Sequence, residues 1–378
     1  MTSPPSASPV DLTDAAARAR AVADEVLFPQ AQATDRARLV PREHLDALRD
    51  AGLFGLQGPR DVPGGLGADH AAARPVLEAV AGACGATAFV WAQHHGAVRR
   101  VAGGDGPGRD RWLPRLCDGS VLAGIGFAYL RRPGPPTVRA TRTPAGWRID
   151  GAAPWITGWG LIDALVVMAR VDDGSPDAGS VVTVVVDRPG EHERLRAGEP
   201  QALAVMASTG TVTLAFDSLE VAPGDVVGVQ TDAAWRLRDR LGSAMPPPAP
   251  LGIADRAIRV LAERPPGPGV AEAATALGDE LQGRREAADR VSGSIARAMA
   301  DGAGEIDAAI AAGAAERDRG LDLARRATDA LVAATGGGAM SLEHPAQRLS
   351  REATFFLIQA QTGDLREASL ARLARPTR

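Results

Sequence analysis

Hydrophobic positions recur at helical spacing through the first third of the chain. In residues 11–36 and 41–56, alanine, valine and leucine return every three or four positions between charged residues, a pattern typical of amphipathic helices. Residues 70–102 extend the pattern as one long helical stretch, and the intervening "DVPGGLGAD" reads as a loop because of its proline and glycine. We therefore predict an all-α domain over residues 15–118, preceded by a disordered lead-in over residues 1–14.

The period changes after residue 120. Short β-branched segments such as "DALVVMARVDD", "SVVTVVVDR" and "TGTVTLAFDSLEV" are separated by glycine, proline or aspartate, which predicts an antiparallel β domain over residues 119–228. Long amphipathic stretches then return and indicate a helical bundle over residues 229–378. The prolines of "PPPAP", residues 246–250, are expected to kink or split the first bundle helix. The fold class is thus α+β, with several domains.

Composition narrows the function classes. The chain has 378 residues, of which 45% are hydrophobic and 23% charged, which indicates a soluble globular protein, and no apolar run is long enough to span a bilayer. With only two cysteines and no CxxC spacing, we expect a reduced, cytoplasmic setting. A net charge of −4 with interspersed signs argues against nucleic-acid binding. The two cysteines, Cys84 and Cys117, lie far apart, so we expect no metal site. All 42 basic residues are arginine, which excludes lysine-based chemistry.

The stretch "PWITGWG", residues 154–160, combines two tryptophans, one hydroxyl and two glycines at the end of a predicted strand. One interpretation is that these are ordinary core aromatics. The other is a ligand contact, since an indole packs well against a flat ring and a threonine hydroxyl can donate to, or accept from, a ring nitrogen. The seven residues alone leave both interpretations open.

The order of domains and several segments resemble the acyl-CoA dehydrogenase superfamily over roughly residues 15–375. The segments are "DALRDAGLFGLQGPRDVPGGLGAD", "GWRIDGAAPWITGWGLIDALVVMARV", "TGTVTLAFDSLEVAPGDVVG" and "RLSREATFFLIQAQTGDLREASLARLAR". The resemblance implies an N-terminal α-helical domain, a central antiparallel β-barrel domain and a C-terminal helical bundle. It also implies a flavoprotein enzyme with FAD, or alternatively FMN, in which Trp155, Ile156 and Thr157 line the flavin.

The chain departs from the family pattern at the catalytic base. The position at which the family commonly has a glutamate falls on Ala360, which cannot accept a proton. Some members carry the base on the first bundle helix, where this chain offers Asp239. On the N-terminal helices, His94 and His95 lie about where flavin-dependent monooxygenase relatives carry a histidine. Neighbouring residues on a helix point in different directions, so at most one of the two faces the site.

Two loops of the family pattern are also altered. "FAYLRRPGPP" replaces the family's flavin-facing loop and supplies Tyr129, Arg131 and Arg132 as candidate substrate contacts, because guanidinium groups suit phosphate or carboxylate. A solvated basic turn is the other interpretation of the two arginines. The family's adenine-binding motif survives only in part, as Gly336 and Gly337 with their neighbours, and a glycine-rich link between two helices is equally ordinary.

Three functions remain open at this point. The first is α,β-dehydrogenation of an acyl thioester, on coenzyme A or a carrier protein, with an electron-transfer partner. The second is a two-component monooxygenase that takes reduced flavin from a reductase. The third is a non-catalytic relative that binds or scaffolds. The family resemblance and the small-residue faces of the bundle further predict a homodimer or homotetramer, without nucleic-acid or membrane partners.

Overall fold

The computed structural model of the chain describes residues 12–265, 267–301 and 305–374. Most of the predicted lead-in, residues 1–11, lies outside the described residues. Residues 12–14, which the prediction also placed in the lead-in, instead form the start of the first helix, with Asp14 in its first turn. An acidic residue there interacts favourably with the positive end of the helix dipole.

The N-terminal region is helical, as its hydrophobic spacing predicts. The helices are α1 (Leu12–Val22), α2 (Phe28–Arg36), α3 (Arg42–Asp50), α4 (His70–Ala83), α5 (Gly85–Ala102) and α6 (Pro107–Cys117), with a π-helical segment, Ala23–Leu27, between α1 and α2. The expected single helix over residues 70–102 is wrong, because Cys84 is extended (φ −148°, ψ 105°) and separates α4 from α5. The break lies where the buried Glu352 carboxylate accepts a hydrogen bond from the Gly85 amide at 3.1 Å, so a distant residue ends the helix.

The central region forms one mixed, open sheet rather than the expected antiparallel barrel. Its strands are β1 (Ala123–Gly126), β2 (Val138–Thr143), β3 (Gly146–Ile156), β4 (Ala164–Val171), β5 (Val181–Asp187), β6 (Leu195–Ala197), β7 (Val212–Val221) and β8 (Val226–Gln230). The order is β6-β7-β3-β2-β4-β5-β8, and β1 and β2 each pair in parallel with β4. Alternation along a strand identifies its buried face but not its partners, so neither the parallel pairs nor the missing closure could be predicted.

The C-terminal region is the predicted helical bundle. Its helices are α7 (Asp232–Ala244), α8 (Pro248–Ala262), α9 (Val270–Asp301), α10 (Ile306–Thr335), α11 (Pro345–Phe355) and α12 (Gly363–Leu373). The expected proline break is confirmed, since α7 ends at Ala244 and α8 starts at Pro248. Proline lacks an amide hydrogen and clashes with the preceding turn inside a helix, but it fits the first helical position.

The bundle and the N-terminal helices share one hydrophobic core. Helices α4 and α8 cross so closely that a Cβ added to Gly82 would lie 2.3 Å from the Gly252 carbonyl oxygen. Beside this crossing, Glu78 is buried and pairs with Arg74 at 3.0 Å and with Arg285 at 2.7 Å. The helical regions before and after the sheet therefore pack as one unit, and the domain boundaries drawn from sequence stay predictions.

Candidate functional site

The loop that follows β3 is held in place by backbone hydrogen bonds to the start of β7. The Gly158 amide donates to the Thr209 carbonyl at 2.8 Å, and the Trp159 amide donates to the Gly210 carbonyl at 3.1 Å. Gly158 and Gly160 have φ of 86° and 88°, in the left-handed region that glycine adopts at little cost. The two glycines of "PWITGWG" thus serve the turn itself.

The three residues predicted to line a flavin lie in different environments. Ile156 is fully buried in the sheet core. Trp155, one residue earlier, is 51% exposed and is the one large exposed aromatic of the described residues. Thr157 is 5% exposed, and its hydroxyl lies 3.0 Å from the Thr211 hydroxyl. The side chains that could meet a ligand are therefore the open indole and the buried hydroxyl.

The Thr157 hydroxyl is the first of three in a chain. The Thr209 and Thr211 hydroxyls are 2.9 Å apart, and the Thr209 hydroxyl donates to the Met206 carbonyl at 2.7 Å. All three threonines are buried. Sequence analysis missed Thr209 and Thr211, because "STGTVTL" indicates only the start of a strand and its pairing with Thr157 spans 54 residues.

Helix α5 places the two candidate histidines in unlike surroundings. The His94 Nδ1 atom accepts a hydrogen bond from the Ala123 amide at 3.1 Å, and its ring lies 4.7 Å from that of Phe54. Burial lowers the pKa of His94 to about 4, and the Phe54 and Leu116 carbonyls oppose that shift only weakly. His94 is consequently a neutral histidine that joins α5 to the first strand.

His95 is equally buried, and neither of its ring nitrogens has a hydrogen-bond partner among the described residues, whereas His94 lacks a partner there only at Nε2. Trp91, one turn earlier, stands edge-on to it at 4.3 Å, and the buried Trp91 Nε1 also lacks a partner there. Burial lowers the pKa of His95 well below its ordinary value, and the positive charge of Arg99 adds to the effect. Unpaired buried nitrogens cost about 1–3 kcal/mol each, so such groups mark a place where a ligand or water binds.

Asp239 and Arg131, both predicted as site residues, bind one another. The Arg131 guanidinium donates to both Asp239 oxygens at 2.8 Å and to the Ser243 hydroxyl at 3.0 Å. Asp239 is 9% exposed. The predicted base and the predicted anion ligand therefore neutralise each other. Neighbouring Arg132 is exposed.

Tyr129, the third predicted substrate contact, is engaged inside the sheet domain. Its hydroxyl lies 2.9 Å from the Gly126 carbonyl and 2.8 Å from the Met168 carbonyl, and it can donate to either. Burial raises its pKa above the ordinary range. The structure places Tyr129 beside the loop of Arg131 but directs its hydroxyl to the backbone.

Arginines gather beside this pair, and among the described residues none of Arg99, Arg100 and Arg238 has an ion pair with a carboxylate, although the charge of Asp239 raises the pKa of Arg100. Arg100 and Arg131 lie over the same ring, that of Phe127, at 6.0 and 5.2 Å. Burial lowers the pKa of Arg100 to about 10, and the charges of Arg238, Arg99 and Arg131 contribute to this shift. Arg99 is solvent-exposed at its side chain, and the surrounding protein lowers its pKa by burial. We name Arg99, Arg100 and Arg238 the arginine cleft.

The segment around the missing glutamate is held by another arginine. Ala360 has φ of 54°, an uncommon conformation for a residue with a Cβ. The Arg317 guanidinium donates to the carbonyls of Phe356 and Gln359, and it thereby fixes the end of α11. Gly336 and Gly337, the predicted adenine contacts, are exposed, and nothing lies within 4 Å of where their Cβ atoms would be. Their role as cofactor residues stays a prediction.

A search of the described residues finds no group of three or more histidine, cysteine or carboxylate side chains that could hold a metal ion. Among the same residues, no helix is both long and apolar enough to cross a membrane.

Comparison with known proteins agrees with the architecture. Residues 11–120 match the family model of the acyl-CoA dehydrogenase N-terminal domain. A "3-sulfinopropanoyl-CoA desulfinase" of Variovorax paradoxus is 30% identical over 44% of this chain, and the match covers 42% of that relative. A "probable acyl-CoA dehydrogenase" of Mycobacterium leprae is 24% identical over 96% of this chain and 95% of its own.

A solved structure shows the same fold. The FMN-bound form of TdsC, a dibenzothiophene monooxygenase from Paenibacillus sp. A11-2, superposes with a TM-score of 0.78 over 95% of this chain and 97% of its own, at 19% identity. Residues 11–120 thus match the N-terminal domain of the acyl-CoA dehydrogenase superfamily, and a relative named as a member of that superfamily aligns with nearly the whole chain.

The residues after β3 fit a flavin in chemical type. An isoalloxazine ring is flat, apolar on its faces and carries nitrogen atoms at its edge. Trp155 offers an exposed indole, and Thr157 offers a buried hydroxyl whose one hydrogen-bond contact is to the Thr211 hydroxyl among the described residues.

Proposed function

We propose that this protein is a flavin-dependent oxidoreductase of the acyl-CoA dehydrogenase type. A bound flavin would supply the two-electron chemistry, and the chain would position it. Trp155 would pack against the ring, and Thr157 would contact a ring nitrogen. The open indole beside the buried hydroxyl supports this assignment. Both FAD and FMN remain candidate cofactors, and the FMN in the TdsC structure supports testing FMN as well as FAD.

We further propose that its chemistry is oxygen-dependent rather than dehydrogenation. The proposal is based on the two positions at which relatives carry a catalytic base, because neither position offers a free carboxylate here. One is Ala360, and at the other Asp239 accepts both of its short hydrogen bonds from Arg131. While both of its oxygens accept from the guanidinium, this carboxylate is not free to approach a hydrogen on a substrate carbon.

In this reading the chain takes reduced flavin from a reductase, and His95 is the group that serves oxygen chemistry. Its unpaired nitrogens and its lowered pKa mean that it stands ready as a neutral donor or acceptor. His94 is assigned a structural role, since its Nδ1 already accepts from Ala123.

The substrate is proposed to carry negative charge. The arginine cleft lies next to the Arg131–Asp239 pair and lacks carboxylate partners among the described residues, so a phosphate, carboxylate or sulfinate would complete it. A thioester of coenzyme A or of a carrier protein meets this requirement, and the desulfinase relative is named for a CoA thioester.

Dehydrogenation is the second candidate. The relative that matches nearly the whole chain is named as an acyl-CoA dehydrogenase. An anionic substrate that binds Arg131 would release Asp239, which would then be free to act as the base. A homodimer or homotetramer and an electron-transfer partner belong to the same proposal.

The two chemistries differ in what they consume. The test is oxygen uptake with reduced FAD or FMN, run beside dye reduction with a panel of acyl thioesters. Product formation that requires oxygen and reduced flavin supports the monooxygenase, whereas dye reduction without oxygen supports the dehydrogenase. If neither flavin binds, the non-catalytic alternative replaces both.

Variants assign the residues. We expect His95→Gln to abolish oxygen-dependent product formation while flavin still binds. His192→Gln, at a half-buried histidine of the sheet domain, should leave product formation unchanged. Full activity in His95→Gln would remove His95 from the mechanism. Trp155→Ala should weaken flavin binding about tenfold, by analogy with the loss of an aromatic stacking contact. Unchanged affinity would place the flavin elsewhere.

A further inference from the structure

We infer that Thr209 and Thr211 set the direction of the Thr157 hydroxyl, and that this direction makes the site select reduced over oxidised flavin. The inference rests on the proposed contact between Thr157 and flavin. It concerns two residues that would not touch the flavin themselves, so both are positioning residues.

Donor counting fixes the direction. A hydroxyl has one hydrogen to donate, and a carbonyl oxygen can only accept. The Thr209 hydroxyl lies 2.7 Å from the Met206 carbonyl, so it donates there. Thr211, at 2.9 Å from Thr209, must then donate to Thr209. Thr157, at 3.0 Å from Thr211, must in turn donate to Thr211, and its hydrogen points inward.

Burial keeps this arrangement in place. Thr209 is fully buried, Thr211 is 4% exposed and Thr157 is 5% exposed, so water is not at hand to supply alternative partners. Reversing the chain would sacrifice the hydrogen bond from the Thr209 hydroxyl to Met206. The preferred state therefore presents to a ligand only the lone pairs of Thr157, which can accept but not donate.

The redox state of flavin changes what such an acceptor meets. The N5 atom of the isoalloxazine accepts hydrogen bonds when the ring is oxidised, and it carries a hydrogen when the ring is reduced by two electrons. An inward-pointing Thr157 hydroxyl thus complements the reduced ring. The oxidised ring can accept a hydrogen bond from Thr157 only if the three hydroxyls reverse their direction, which breaks one other hydrogen bond. The preference for reduced over oxidised flavin therefore corresponds to about one hydrogen bond.

The test compares the dissociation constants of reduced and oxidised flavin, measured anaerobically, in the wild type and in Thr209→Val. Without the Thr209 hydroxyl, Thr211 can donate to Thr157 and Thr157 can donate to the flavin, and this reversal no longer breaks a hydrogen bond to Met206. We expect the preference for reduced flavin to fall about tenfold, which corresponds to a reduction potential of the bound flavin lower by about 30 mV for a two-electron couple. Thr211→Val should show the same fall, because it frees the Thr157 hydrogen.

Controls separate this inference from a packing effect. Thr211→Ser keeps the hydroxyl and should retain the wild-type ratio of the two dissociation constants. Thr213→Val, which alters an exposed threonine on β7, should retain it as well. If Thr209→Val and Thr211→Val have the same ratio of dissociation constants for oxidised and reduced flavin as the wild type, the inference is wrong and the proposed function is unaffected. A wild type that binds neither form of flavin overturns the proposed function.

Discussion

Replacing His94 should reduce the acid sensitivity of the fold. The His94 Nδ1 accepts from the Ala123 amide, and a proton on that nitrogen would face the amide hydrogen. Burial accordingly lowers its pKa from 6.5 to about 4. Because the folded-state pKa lies below the unfolded one, the unfolded chain binds this proton first. The stability associated with neutral His94 is full above pH 6.5 and declines as the pH falls towards 4.

The size of the effect follows from the two pKa values. At pH 5 the histidine is almost fully protonated in the unfolded chain and mostly neutral in the folded one. Proton linkage therefore lowers the free energy of unfolding by about 2 kcal/mol between pH 7 and pH 5 through His94 alone. His94→Asn retains an oxygen acceptor for the Ala123 amide but does not titrate. For each protein, the free energy of unfolding at pH 5 is compared with that of the same protein at pH 7.

The measurement is urea unfolding of the wild type and His94→Asn at both pH values. We expect the wild type to lose about 2 kcal/mol more than the variant on acidification, and the carboxylates common to both proteins cancel in this double difference. An equal acid loss in His94→Asn and wild type would refute the reasoning that links burial of His94 to stability.

Two further predictions concern the packing that holds the site. Arg348 and Glu352 form a buried ion pair at 2.8 Å. Glu352→Gln should lower the free energy of unfolding in urea by about 3–5 kcal/mol, because it leaves the buried charge of Arg348 without its partner. A loss below about 1 kcal/mol would contradict this prediction. Gly82→Ala should lower the free energy of unfolding by about 1–3 kcal/mol in thermal unfolding, because its Cβ would lie 2.3 Å from the Gly252 carbonyl oxygen. The control Gly283→Ala places its Cβ in open space on α9 and should be neutral or stabilising in the same assay.

Local signals predicted the elements well and their partners poorly. Helical spacing, β-branched runs and the prolines near residue 247 identified most of the helices, most of the strands and the break between α7 and α8. The break at Cys84 escaped prediction, since its cause is the Glu352 carboxylate more than 260 residues away. The open sheet escaped for the same reason, because strand pairing depends on contacts that alternation does not record.

The histidine pair shows what a structure adds to a sequence. In "WAQHHGAV" the two residues are chemically equal, and helix geometry says only that they point apart. Which of them is free depends on the Ala123 amide and on the ring of Phe54, both distant in sequence. His95, the residue left without hydrogen-bond partners among the described residues, could not be singled out before those contacts were known.

The Arg131–Asp239 pair bears on both proposed chemistries at once. Sequence reasoning treated the two residues as separate candidates, one for binding an anion and one for taking a proton. Their two short hydrogen bonds make the roles interdependent, since neither side chain can act while it holds the other. An anionic substrate that displaces Asp239 from Arg131 would both occupy the anion site and create a base, whereas one that binds only the arginine cleft would leave the carboxylate neutralised. Under the proposed function, we therefore expect the arginine that the substrate contacts to decide between dehydrogenation and oxygen chemistry.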